Sequence, residues 1–345
     1  MYSFAPSGHT IRDMSPSRRL LQIVFRYVLP LAVVVGVGTH FSRLLGNADF
    51  AAVALHFRWE YLLASAVTYA LCHALWGTYW TLLLRSQGVP ASLPVGLRAY
   101  FISQGGKYVP GKIWVILLRI RMLGGDKQSR IAIGVTAFAE AVTSMATGAM
   151  IGAFLLPLIV EDVDIPGLPL ALGALACVPV LVVVLNRMVV RFLKKRRAPG
   201  TPTLPGIPPA YLAVGLAIDT LGWALMALSF WLAIQGLTAE PIPLTLDSFG
   251  RLAAINCLSY VAGFIALFAP AGAGIREGLM QKLLAVQLAF LMGEGAVGFA
   301  VVVALVVRVL WTAAEVAAAA ALWKLVRVPA GGLSISYPSS DVHAD

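Results

Sequence analysis

Residues 103–114 read SQGGKYVPGKIW, and they interrupt an otherwise membrane-like sequence with helix-breaking and charged residues. A second stretch, APAGAGIRE at residues 269–277, combines a proline, spaced glycines and charges in the same way. Irregular backbone is costly in lipid, where no water satisfies its N–H and C=O groups. Two broken segments in opposite halves of the chain therefore predict a translocation site.

The composition indicates an all-α polytopic membrane protein. Of the residues, 59% are hydrophobic and only 12% are charged, far from the values of soluble domains. A crossing needs roughly 20 apolar residues. The sequence offers about eight such runs, at residues 20–41, 60–84, 130–160, 167–186, 209–236, 251–269, 278–293 and 295–323.

Two segments do not fit a simple crossing and predict broken or re-entrant helical elements. Residues 94–122 are too interrupted and too charged, so we expect a pair of re-entrant half-helices there. A second broken element is expected at 269–278. Around them, the sequence predicts a cytoplasmic tail over 1–19, one transmembrane domain over 20–327 and a disordered cytoplasmic tail over 328–345.

The net charge of +10 follows the positive-inside rule and does not indicate nucleic-acid binding. Lys and Arg concentrate in alternate loops, most strongly at 187–197, whereas the acidic residues near 161–164 lie in an opposite loop. This asymmetry predicts that both termini are cytoplasmic. The three cysteines fall in separate apolar runs and are interpreted as packing residues.

Charges inside the predicted crossings are the candidate functional residues, because each costs about 2.5–3.5 kcal/mol at mid-membrane. They are Glu140, Asp219, Arg276, Glu277, Arg308 and Glu315. Arg308 and Glu315 lie seven residues apart on nearly one helix face, with Trp311 between them. Two readings stay open for this pair, a functional site or an internal salt bridge that orients helices.

Both broken segments have the ingredients of a lipid-headgroup site. Near 270–274, Gly272 and Gly274 allow close approach of the backbone, and a helix starting there would direct free N–H groups towards an anion. Arg276 is a candidate phosphate ligand, with Glu277 orienting it. In the first segment, Pro110 and Gly111 break the chain, Lys107 and Lys112 supply cations, and Tyr108 suits the headgroup level. An ordinary cytoplasmic loop is the alternative for that segment.

The stretches GKYVPGKIW and PAGAGIRE resemble the paired signature motifs of the lysylphosphatidylglycerol synthase transmembrane region family. The resemblance implies an eight-helix fold with re-entrant elements, a bacterial cytoplasmic membrane and the handling of an anionic or modified lipid. It extends to Lys107, Pro110, Gly111, Lys112, Glu140, Gly274, Arg276, Glu277 and Arg308. The bifunctional members carry an aminoacyl-transferase domain after the membrane region; we expect no such domain here and no lipid aminoacylation by this chain. Ala271 and Ala273 depart from the family's usual turn.

The leading hypothesis is a lipid translocase that acts on a phospholipid or a polyprenyl-linked lipid. No Walker A pattern occurs and no cofactor is implied, so ATP hydrolysis by this chain is not expected. Movement would be downhill, coupled to an ion gradient through Glu140, Asp219 or Glu315, or driven by a separate cell-envelope enzyme. The oligomeric state is left open.

Two other classes of function remain open from the sequence. A membrane-embedded transferase would use the DxD spacing of Glu161–Asp164 to hold a divalent metal, although no second acidic motif supports it and His73 is isolated. A scaffold for a cell-envelope enzyme predicts instead that Lys107, Arg276 and Glu277 are dispensable.

Overall fold

The computed structural model describes residues 56–109, 113–160, 206–239, 241–266, 269–293, 295–329 and 331–335. Within these ranges the chain is built of α-helices joined by turns and short 3-10 segments, without β-strands, which confirms the all-α prediction. In chain order the helices are α1 (Trp59–Ser86), α2 (Leu93–Ser103), α3 (Ile113–Leu123), α4 (Lys127–Leu155), α5 (Pro209–Gln235), α6 (Leu246–Ile265), α7 (Ile275–Met292) and α8 (Gly295–Leu325).

The long helices are those of an integral membrane protein. Among the described helices, α4, α5, α6 and α8 are long and apolar enough to cross a membrane by length and composition. They correspond to four of the predicted crossings. The runs at 60–84 and 278–293 form α1, with 28 residues, and α7, with 18 residues. The crossings predicted at 20–41 and 167–186 lie outside the described residues.

The predicted broken element at 94–122 forms two short helices on either side of a turn. Helices α2 and α3 have 11 residues each, so each is about 16 Å long, roughly half the thickness of a bilayer core. A 3-10 turn over Gln104–Tyr108 follows α2. The two helices pack on each other, and α2 also packs on α1 and α8, so the hairpin is embedded in the bundle.

Gly106 brings the turn of this hairpin against the start of α3. A Cβ atom at Gly106 would lie 2.6 Å from the backbone nitrogen of Val115 and 2.7 Å from the carbonyl carbon of Trp114. Neighbouring Gly105 has open space at the same position, with nothing within 4 Å. Only one of the two glycines is therefore required by packing.

The second broken element is a tight turn between α6 and α7. The chain forms a 3-10 segment over Pro270–Gly272 and has positive φ at Ala271 (49°), Gly272 (70°) and Gly274 (83°). A Cβ atom at Gly272 would come within 2.8 Å of the Cα of Gly263, so the turn packs directly on α6. Ala271 adopts the left-handed region although this conformation costs a residue with a Cβ about 1–2 kcal/mol.

Glycines on α5 accept the aromatic side chains of α1. A Cβ atom at Gly215 would overlap the phenol ring of Tyr79, and one at Gly222 would lie 2.3 Å from Nε1 of Trp76. Small residues allow membrane helices to approach closely, because apolar helices gain little from leaving equally apolar lipid. This contact fixes the wall on which the candidate site is built.

The first part of the tail predicted over 328–345 contacts the helix bundle. Beyond α8 the chain returns to the turn between α3 and α4, where the N–H of Leu333 donates to the carbonyl of Leu123 at 2.8 Å. The two segments approach so closely that a Cβ atom at Gly125 would lie 2.0 Å from the carbonyl oxygen of Leu333. Residues 336–345 lie outside the described part.

We expect Gly106→Ala to lower the unfolding temperature in detergent or nanodiscs. The added methyl group overlaps rigid backbone, and overpacking of this kind costs about 1–3 kcal/mol. Gly105→Ala is the matched control, since its methyl group meets nothing, and it should leave the unfolding temperature unchanged. Equal melting of both variants would show that the hairpin does not close as described.

Candidate functional site

A cavity of about 470 Å³ lies between the two broken elements. Its walls come from α1, α2, α3, α4, α6, the second turn and the start of α7, and most of the lining side chains are apolar or aromatic. Such a chamber, with a few convergent polar groups, is typical of a ligand site. The polar groups on its walls are His73, Gln104, Lys107, Arg119, Glu140, Ser144 and Arg276.

Arg276 enters the cavity from the first turn of α7. Its guanidinium carbon lies 4.6 Å above the ring centre of Tyr260 and 4.8 Å above that of Trp311, and the residue is only 7% exposed. A desolvated cation over aromatic faces gains about 2 kcal/mol, which holds the side chain in place without removing its charge. Among the described residues no carboxylate forms an ion pair with Arg276.

Glu277 braces the second turn and does not contact Arg276 as the sequence suggested. Its Oε2 accepts a hydrogen bond from the backbone N–H of Gly274 at 2.8 Å, and its Oε1 lies 2.7 Å from Nη1 of Arg308. The same Arg308 nitrogen donates to the carbonyl oxygen of Ala271 at 3.1 Å. Glu277 and Arg308 therefore fix the strained turn that presents Arg276.

Lys107 and Glu315 tie the first broken element to α8. The Lys107 ammonium donates to Oε1 of Glu315, and the Tyr69 hydroxyl donates to the same oxygen. The Tyr108 hydroxyl donates to Oε2 at 3.3 Å, and Nε2 of His73 lies 3.6 Å from Oε1. Lys107 thus faces the cavity with its charge already compensated by a carboxylate.

A third ion pair, Arg119 with Glu140, forms the wall between α3 and α4. The Arg119 Nη1 and Glu140 Oε2 atoms are 2.8 Å apart, with both side chains at most 5% exposed. Arg119 also donates to the Ser103 hydroxyl at 3.2 Å and lies over the rings of Trp80 and Tyr100, at 4.4 and 4.5 Å. Its charge is therefore compensated and sandwiched between aromatic rings.

Arg119 is not among the site residues predicted from the sequence. A signal was present, because a carboxylate buried as deeply as Glu140 needs a cation. Arg119 lies in the short apolar helix that directly precedes the helix of Glu140. The aromatic partners of Arg276 left no comparable signal, since rings at helical spacing are usual in any helix bundle.

The structure brings the candidate residues together in part. Lys107, Glu140, Gly272 and Arg276 line the cavity, whereas Tyr108, Gly274, Glu277, Arg308 and Glu315 support residues that do. Arg308 and Glu315 do not pair with each other: Arg308 pairs with Glu277, and Glu315 pairs with Lys107. Asp219 is fully buried but does not line the cavity. Pro110, Gly111 and Lys112 lie outside the described residues, as does the acidic stretch 161–164.

Comparison with known proteins adds one finding. The sequence model of the family described as lysylphosphatidylglycerol synthase TM region matches residues 27–314, which is most of the chain. The matched range includes both broken elements and the three ion pairs, apart from Glu315, which follows the last matched residue. No curated protein matches the chain. In the described part, no group of three His, Cys, Asp or Glu residues is arranged to hold a metal.

We expect Glu140→Gln to destabilise the protein by about 3–5 kcal/mol, because it leaves the buried Arg119 charge without a carboxylate. Adding Arg119→Met should restore most of the loss, since Met keeps apolar contact with the surrounding rings and no charge remains. Unfolding temperatures of the single and double variants form a double-mutant cycle. Additive losses would show that the two side chains do not act as a pair.

Proposed function

Since this chain belongs to the lysylphosphatidylglycerol synthase TM region family, we propose that it is a lipid translocase. In this proposal the cavity between the broken elements accepts the phosphate-bearing headgroup of an anionic or modified lipid. The acyl chains stay in the bilayer while the headgroup passes through. The cavity binds and releases the lipid without a chemical step.

The observation that carries the proposal is the state of Arg276. The other cations on the cavity wall, Lys107 and Arg119, each contact a carboxylate within 3 Å, whereas the described residues provide none for Arg276. A buried charge without a counter-charge is costly, and a ligand phosphate would supply one. The first turn of α7 adds the positive end of a helix dipole at the same place.

The shape of the cavity supports lateral access for a lipid. Ile113 of α3 and Phe138 of α4 line the cavity and are also 59% and 41% exposed, so the cavity reaches the outer surface of the bundle between these helices. In a bilayer that surface faces acyl chains. A lipid bound here would keep its tail among apolar side chains and place its headgroup near Arg276.

The proposal extends to the setting of the protein. We propose a bacterial cytoplasmic membrane, which the family resemblance implies, with both termini on the cytoplasmic side, as the distribution of Lys and Arg predicts. The lipid is a phospholipid or a polyprenyl-linked lipid. Net movement is downhill, driven by an ion gradient, or drawn by a separate cell-envelope enzyme that consumes the lipid on one side.

The test is lipid exchange between leaflets in proteoliposomes containing fluorescent phosphatidylglycerol, an aminoacylated analogue or a polyprenyl phosphate. Arg276→Ala removes a charge-assisted phosphate contact worth about 1.5–3 kcal/mol, so exchange should fall by about 10-fold to 100-fold. Arg276→Lys should retain part of the activity, because the charge remains while the planar donor set is lost.

Arg121→Ala is the matched control, because Arg121 is an exposed arginine of the same bundle that does not line the cavity. It should leave exchange at the wild-type rate. If wild-type protein that is folded and monodisperse accelerates none of the three lipids, translocation is excluded for them. If Arg276→Ala exchanges lipid as fast as the wild type, the site assignment fails.

A further inference from the structure

Asp219 differs from every other buried carboxylate in the described part of the chain. Each of the others contacts a cation. Glu140 lies 2.8 Å from Arg119, and Glu277 lies 2.7 Å from Arg308. Glu315 is paired with the Lys107 ammonium. Asp219 is 0% exposed, and neither of its carboxylate oxygens has a hydrogen-bond partner among the described residues. No described cation lies close enough to form an ion pair with it.

Asp219 lies deep in the membrane-spanning part of α5. It is the eleventh residue of this 27-residue helix, about 15 Å from the N-terminal end and about 24 Å from the other end. At such a depth an ionised carboxylate costs several kcal/mol even on lenient scales, and no described cation reduces that cost. A carboxylic acid that keeps its proton avoids it.

The side chain belongs to the face of α5 that packs on α1. Gly215 and Gly222, four residues before and three residues after Asp219, are the two glycines that accept Tyr79 and Trp76. Trp76 Nε1 has no hydrogen-bond partner among the described residues, and the Tyr79 hydroxyl lies near Thr143 without a hydrogen bond of good geometry. Asp219 is thus set among buried polar groups with unused bonding capacity.

In the part of the chain that the structure describes, the other titratable groups around Asp219 provide no counter-charge. They are Cys72 and Tyr79 of α1, Glu140 of α4 and Cys257 of α6. Glu140 is the charged member of this set, and its negative charge disfavours ionisation of Asp219 further.

We propose that Asp219 is a proton-binding site, holding a proton at neutral pH behind the wall of the headgroup cavity. The sequence alone left Glu140, Asp219 and Glu315 as equal candidates for ion coupling. Glu140 is ion-paired to Arg119, and Glu315 is ion-paired to Lys107. Asp219 is therefore the candidate that binds a proton.

The proton site adjoins the cavity through two residues. Glu140 lines the cavity and acts electrostatically on Asp219, and Trp76 lines the cavity while its ring packs on Gly222 of α5. A lipid phosphate in the cavity adds negative charge and so favours the protonated acid. By linkage, protonated Asp219 favours the bound anion by the same factor. This coupling, unlike the proton site itself, rests on the proposed function.

The proton site is tested by infrared difference spectroscopy on purified protein at neutral pH, without any lipid substrate. The wild type should show the C=O band of a protonated carboxylic acid, which shifts with ¹³C-labelled aspartate and disappears in Asp219→Asn. Asp126→Asn is the control and should keep the band. Asp126 is exposed, and its pKa is held below the usual range by hydrogen bonds from Ser129. A wild type without this band, or a band that persists in Asp219→Asn, overturns the proposal.

Thermal unfolding gives a second, independent readout. Asn is close in shape to a protonated Asp, so Asp219→Asn should melt with the wild type at about pH 4, where Asp219 of the unfolded chain still binds its proton. Above that pH the unfolded wild type releases the proton that the folded state retains, so its stability should fall relative to Asp219→Asn up to about pH 8. A wild type that instead gains stability over this range, or a variant that melts far lower at every pH, shows an ionised and paired Asp219.

The coupling between protonation of Asp219 and lipid binding is measured as phosphatidylglycerol exchange in proteoliposomes at about pH 6 and about pH 9. Wild-type exchange should slow at the higher pH, whereas Asp219→Asn, which is permanently neutral, should exchange equally at both. Equal pH dependence in the two proteins overturns the coupling. A wild type that exchanges no lipid contradicts the proposed function, while the infrared and unfolding results still decide the proton site.

Discussion

The two ion pairs that join the broken elements to α8 are the constraint on which the site depends. Lys107 of the first turn is bound to Glu315, and Glu277 of the second turn is bound to Arg308. Both α8 residues lie seven positions apart on nearly one helix face, so a single straight helix holds both breaks. Irregular backbone at membrane depth is tolerated only where protein or water satisfies it, and α8 is the element that permits the cavity between the turns.

Charge inside this bundle serves two different purposes. Lys107, Arg119 and Arg308 are matched to carboxylates, and removing one partner of such a pair leaves a costly uncompensated charge. Arg276 is held by two aromatic rings, which position a cation while leaving its hydrogen-bonding groups available. Among these cations, Arg276 therefore differs in its partners, because it contacts aromatic rings and no described carboxylate.

Much of the fold could be predicted from local sequence, whereas the pairing within the site could not. Apolar runs and clusters of Gly and Pro mark helices and breaks within a few residues, because each signal is confined to its own segment. Ion pairs join residues that are distant in sequence: 208 positions separate Lys107 from Glu315, and 31 separate Glu277 from Arg308. The sequence suggested that Glu277 acts on its neighbour Arg276, but the structure pairs it with Arg308 of α8. The contact of the C-terminal segment was not predictable for the same reason, because Leu333 packs on glycines of the distant α3–α4 turn.

The most direct measurement of the central claim is a cryo-electron microscopy structure of the protein in nanodiscs that contain phosphatidylglycerol. We predict density for a lipid that enters the bundle between α3 and α4, with its phosphate within hydrogen-bonding distance of the Arg276 guanidinium. Lys107 should remain bound to Glu315 in that structure. Lipid density confined to the outer surface, with the cavity closed or with Arg276 paired to a carboxylate of the protein, would contradict a headgroup site between the two broken elements.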